Sequence, residues 1–174
     1  LAALGEEGVL LLCSDSTYAD RMGSTSSELL VGEALEQAMM AAPGRVIIAT
    51  FASQIARVQQ IIDGAEASGR TVFVTGRSME RNVKMARELG YLHAAQGTIR
   101  NISEHTSFAD EDVLIVSTGG QGEPMSALSR MSVADHREVT IKSGDTIVLS
   151  SSPIPGNEAA VNRTIDNLFR LQAS

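Results

Sequence analysis

Aromatic residues make up only 3% of the 174 residues, and tryptophan is absent. An extended platform of rings for stacking successive bases is therefore excluded. Cysteine occurs once, at Cys13. That excludes a disulfide framework and any zinc site needing two or more thiolates, and one free thiol fits a reducing cytoplasm. The three histidines, His93, His105 and His136, stand far apart, so no local paired-histidine metal motif exists. Basic residues are outnumbered 14 to 21, for a net charge of -7. A broad basic face for nucleic acid would lean the other way, so any such contact must be local or shared with another part. The longest apolar stretches, such as Val9–Cys13, fall far short of the ~20 residues that cross a bilayer. No basic region precedes an apolar core at the start, so no signal peptide is expected. The chain opens on leucine and reads as a piece of a longer polypeptide.

What is present is ordinary for a globular domain: 43% hydrophobic and 20% charged residues. These values exclude disorder and low complexity. The length suits a single domain with a sizeable core.

Apolar β-rich runs alternate with runs of helical period. Strands are expected at Gly8–Cys13, Arg45–Thr50, Thr71–Thr75, Asp112–Ser117, Glu138–Ile141 and Thr146–Ser150, the last two close neighbours across Ser143-Gly144-Asp145. The strand at Gly8–Cys13 would bury Cys13 as an inert thiol. Helices are expected at Ser27–Ala42, capped by Ser26 or Ser27, and at Ser53–Ala67, Ser78–Leu89, Pro124–Met131 and Asn157–Leu171. In the first of these Leu29, Leu30, Ala34 and Ala38 stand at core spacing; in the second Ile55, Val58, Ile61 and Ile62 do. Residues 92–111 suit a short helix and a solvated loop. Strands followed by helices in this rhythm predict an α/β fold, a Rossmann-like three-layer sandwich around a mostly parallel sheet.

Polar residues and glycines gather where strands should lead into helices: Ser14–Thr17, Thr50–Ser53, Thr75–Ser78, Ser117–Glu123 and Ser150–Pro153. In a parallel α/β sheet all such exits share the carboxyl edge, where ligands bind and helix N-termini offer free N–H groups to phosphate. Ordinary capping explains any one of these loops. Five alike on one edge point to a phosphate-bearing ligand. Gly120-Gln121-Gly122 lacks the third glycine of a dinucleotide fingerprint, and no Walker Gly-Lys-Ser/Thr occurs. Asp15 and Glu123 are carboxylates at strand exits and Arg77 a cation at another, but they do not make a complete catalytic set. A nucleotide- or sugar-phosphate-binding Rossmann-like module is the alternative reading.

The segments Gly5–Thr17, Ala49–Ser53, Arg57–Ile62, Gly76-Arg77-Ser78-Met79, Gln121–Met131 and Ser150–Glu158 resemble the ribonuclease J family, in order and over essentially the whole chain. The resemblance implies the β-CASP domain of a metallo-β-lactamase-superfamily nuclease. Such enzymes process and degrade RNA by 5′-to-3′ exonuclease and endonuclease action. It implies two zinc ions, held by a lactamase-type domain, and no metal ligand in this chain, whose sequence has no His-x-His-x-Asp-His motif. Residues 1–17 would be the end of the lactamase-type domain leading in, and 18–174 the β-CASP domain. By similarity Asp15 is the motif A carboxylate that orients a catalytic histidine beside the metals. RNA or phosphate contacts are expected from Phe51, Ser53, Arg77, Ser78, Gly119, Gly120, Gln121, Gly122, Glu123 and Ser152, with Tyr18 a second stacking candidate. The glycines would form a backbone nest for phosphate and Arg77 a bidentate clamp. The partners implied are single-stranded 5′-monophosphorylated RNA, the lactamase-type domain and further copies of the full-length protein, in the cytoplasm and away from membranes. Two departures stand out: Gln54-Ile55-Ala56 where the family often has Asn-x-His, and Tyr18 where Asn is common.

Overall fold

The computed structural model describes residues 2–17, 19–25 and 27–174; the expectations on Tyr18 and Ser26 lie outside them. Five strands, β1 (Val46–Ala49), β2 (Thr71–Thr75), β3 (Ile99–Arg100), β4 (Val113–Ser117) and β5 (Thr146–Leu149), form one sheet in the order β3-β2-β4-β1-β5. All pairings are parallel. Helices α1 (Ala2–Glu7), α2 (Glu28–Ala41), α3 (Ile55–Ala67), α4 (Arg77–Glu88), α5 (Ala127–Ser132) and α6 (Glu158–Arg170) complete the chain. The three-layer α/β sandwich is as expected.

The central strands are unbroken apolar runs because both faces are covered: Val46, Ile47, Ile48, Leu114, Ile115 and Val116 are fully buried. One face of the sheet packs on α2, α3 and α4 through Leu35, Met39, Ile61, Ile62, Met79 and Val83. The other packs on α5 and α6 through Leu128, Met131 and Leu168.

Several expected elements differ. Residues 9–15 form no strand, and the Cys13 thiol is exposed. A strand needs a partner to satisfy its backbone groups, and among the described residues this segment has none. Leu10, Leu11 and Leu12 are 105%, 77% and 75% exposed. In α2 the inward residues are Leu35 and Met39, while Leu29 and Leu30 face out. Small residues set that face: a Cβ on Gly32 would lie 3.2 Å from the Gln60 side chain, and one on Gly64 3.1 Å from Met39. The α5 helix begins at Ala127 rather than Pro124, because the Ser126 hydroxyl caps it by accepting from the Ser129 N–H. Residues 138–141 bury Val139 and Ile141 alternately but join no ladder, and β5 pairs with β1 instead. The stretch 92–111 contributes β3 and two 3-10 turns, Ile102–Ser107 and Asp110–Asp112.

Candidate nucleic-acid interface

The pairing register lines up Thr75, Ser117, Ala49 and Leu149 at the ends of four neighbouring strands. Their exits, at 75–78, 117–126, 50–53 and 150–157, therefore emerge side by side along one carboxyl edge. The fifth expected loop, Ser14–Thr17, lies in the exposed segment outside the sheet. There the Asp15 carboxylate accepts from the Thr17 N–H at 2.7 Å, and this bond holds its pKa below the usual carboxylate value. Asp15 is ionised and open to a partner.

Gln121 is the clip of this edge. It is 3% exposed. Its amide donates to the Ser152 carbonyl at 2.9 Å and accepts from the Ile154 N–H at 2.7 Å and from the Asn157 side chain at 3.3 Å. The β4 exit is thereby tied to the β5 exit, with Ser152 left exposed on the rim. Gln121 was expected to face a ligand; its side chain is spent inside the protein.

The glycines of the same loop serve close approach within the protein. Gly119 and Gly122 have φ of 117° and 69°, which L-residues with a Cβ rarely adopt. A Cβ on Gly122 would overlap the Ala160 backbone, and one on Gly120 the Ser151 hydroxyl. The Gly122 N–H donates to the Gly119 carbonyl at 3.1 Å, and the Gln121 N–H to Glu123 at 3.3 Å. Of the glycine donors expected to cradle a phosphate, the Gly122 N–H is thus already engaged within the loop. Glu123 itself is exposed.

Arg57 was not singled out as a site residue. Its signals are a charge at i, i+4 spacing from Ile61 on the buried stripe of α3 and its place at the head of a segment that carries the family resemblance. It donates to the Ser150 carbonyl and hydroxyl at 3.0 and 2.6 Å and forms a two-pronged pair with Glu28. That pair holds the Glu28 carboxyl below its ordinary pKa. Arg57 thus fixes the β5 exit from beneath. Asn82 does the same for the β1 exit, donating to the Ala52 carbonyl at 2.8 Å. Phe51 is half-buried and Ser53 exposed at that exit.

At the β2 exit Arg77 and Ser78 open α4 and are exposed. With Thr118, Arg130, His136 and Arg137 they line a cleft of about 580 Å³. His136 bonds to the Thr75 hydroxyl at 3.2 Å, a meeting across 61 residues that nothing in the sequence marks. Burial lowers its pKa; Arg130 and His105 push the same way, and Glu138 and Asp135 oppose. The unfolded chain then binds the proton more tightly, so stability falls as pH drops through the ordinary value of about 6.5 and levels off below the folded pKa. Unfolding midpoints of the native chain and His136→Gln at about pH 7.5 and 5.5 should show a smaller pH difference for the variant.

A family model described as "Ribonuclease J, beta-CASP domain" matches residues 43–168. The chain belongs to the ribonuclease J family. Ribonuclease J of Mycobacterium tuberculosis is 51% identical over 173 residues, 99% of this chain and 31% of that protein. Ribonuclease J of Thermus thermophilus is 48% identical over the same length, and that of Helicobacter pylori 44%. The chain spans about a third or less of these ribonuclease J relatives, and its residues 43–168 correspond to the β-CASP domain. No group of three or more His, Cys, Asp or Glu side chains that could hold a metal occurs among the described residues. No helix among them is long and apolar enough to cross a membrane.

Proposed function

We propose that this chain is the RNA-guiding β-CASP domain of a metal-dependent ribonuclease that processes and degrades RNA, by 5′-to-3′ exonuclease and endonuclease action. The observation that carries the reading is the row of polar strand exits along one sheet edge, in a chain of the ribonuclease J family. In this reading Phe51, Ser53, Arg77, Ser78, Glu123 and Ser152 meet a single-stranded RNA, and Gly119, Gly120, Gln121 and Gly122 give the rim its shape. The exposed Asp15 carboxylate orients a histidine of the lactamase-type domain, fixing its tautomer and raising its basicity. Residues 1–17 belong with that domain, and their bare leucines supply apolar surface for it to cover. Two zinc ions, a 5′-monophosphate on the substrate, self-association of the full-length protein and a cytoplasmic setting complete the proposal.

The test compares this chain with the full-length protein on a 5′-monophosphorylated single-stranded RNA. Cleavage by the full-length protein, lost on adding a chelator and absent from the chain alone, is expected. Metal-dependent cleavage by the chain alone would sink the division of labour. Saturable binding of free NAD with none of RNA would favour the Rossmann-like alternative.

A further inference from the structure

The cleft at the β2 exit is lined by Thr118, Met125 and Ser126 of the β4 exit, by Ala127 at the start of α5, and by two walls that carry free arginines. One is the turn that follows Thr75 and carries Arg77; the other is the loop 135–139, which carries Arg137. Both guanidiniums are exposed, and neither makes a hydrogen bond or ion pair with a described residue. Glu80 and Glu138 line the cleft as well, and Arg130 is paired to Asp135 at 3.1 Å.

One imidazole joins the two walls. His136 Nδ1 accepts from the backbone N–H groups of Val139 at 3.1 Å and Glu138 at 3.3 Å. An acceptor Nδ1 leaves the proton on Nε2, which donates to the Thr75 hydroxyl at 3.2 Å. The neutral ring therefore fastens the loop bearing Arg137 to the strand end that leads to Arg77. Further ties hold the loop on either side of Arg137: Arg130 donates to the Asp135 carbonyl at 2.7 Å, and Val139 is 1% exposed in the core.

We propose that Arg77 and Arg137 together grip one phosphodiester of a single RNA strand, and that His136 is the positioning residue that sets Arg137 opposite Arg77. This rests on the RNA-guiding reading above and adds Arg137 and His136 to it. A planar fork of donors suits a phosphate oxygen pair, and two unpaired forks in one cleft offer it more than a lone surface arginine does. The occupant is a backbone phosphate rather than a base, because two free guanidiniums meet an anion there and no Phe, Tyr or Trp lines the cleft, whose one ring, His136, is engaged through both nitrogens.

The experiment uses the full-length protein, with chelator present so that the strand is not cut, and a 5′-hydroxyl oligouridylate as probe. Dissociation constants are measured over a range of salt. Arg77→Gln and Arg137→Gln should each weaken binding about three- to tenfold and take about 0.7 from the slope of log affinity against log salt, the share of one phosphate contact on a single strand. His136→Asn removes no charge at neutral pH, yet it should weaken binding and lower the slope in the same way. Added to Arg137→Gln, it should cost nothing further. Arginine variants with native affinity and slope, beside a full-length protein that still binds RNA, would overturn the grip and leave the RNA-guiding reading standing. Additive losses from His136→Asn and Arg137→Gln would overturn the positioning role. A full-length protein that binds no RNA would remove both. Because the two arginines are exposed, their variants report even where His136→Asn disturbs folding.

Discussion

Asp145→Asn should cost about 3–5 kcal/mol of stability, the toll of leaving a buried cation without its partner. Asp145 and Arg45 have side chains only 3% and 2% exposed. Arg45 Nε donates to Asp145 at 2.8 Å, and its second prong both meets the other carboxylate oxygen and donates to the Thr140 carbonyl at 2.8 Å. The Lys142 N–H donates to Asp145 at 2.7 Å. The pair thus nails the turn before β5 to the start of β1, with the Ser174 N–H on the Asp145 carbonyl at 2.9 Å. Denaturant unfolding should show a lower midpoint with an unchanged slope. Arg45→Met with Asp145→Leu should lose less than Asp145→Asn alone, because replacing both charges leaves no ion stranded. A single-variant loss below about 1 kcal/mol would mean that water reaches the site.

Gly122→Val should be nearly as damaging, and its damage should reach function. The new Cβ would overlap the Ala160 backbone at the start of α6. Backbone cannot swing aside as a flexible side chain can, and the φ of 69° adds strain for any β-branched residue. A loss of about 2–5 kcal/mol is expected from strain and overpacking together. The displaced α6 would pull on Asn157 and Ile154 and so on the Gln121 clip, moving Ser152 on the rim. RNA affinity of the full-length protein should therefore fall by more than the folded fraction alone explains. An affinity that follows the folded fraction would confine Gly122 to packing.

How much of this was visible beforehand varies with the range of the contact that decides each part. Helix α3 was legible because Ile55, Val58, Ile61 and Ile62 repeat at the helical period. The segment 138–141 was misread because alternation reports two faces, one buried, and says nothing about whether a neighbour completes the ladder. Helix α2 was placed correctly but turned wrongly, since its inward face depends on Gly32 and Gly64 meeting Gln60 and Met39. Of the candidate rim residues, Arg77, Ser78 and Ser152 lie exposed after strands, a placement that a local signal marks. The contacts of Arg57, His136 and Gln121 carry no such mark, since each reaches partners far along the chain.

The order of amino acids alone determined the layered α/β architecture, the acidic balance that excludes a broad basic face, and the family, because periodicity, composition and motif are written in neighbouring residues. Tertiary structure alone decided that four of the five polar exits share one edge, that the glycine loop packs against α6 and Ser151, and that one imidazole joins the two arginine-bearing walls. Those facts depend on strand order and register, which place residues side by side that are scores of positions apart, and no local pattern specifies such pairings.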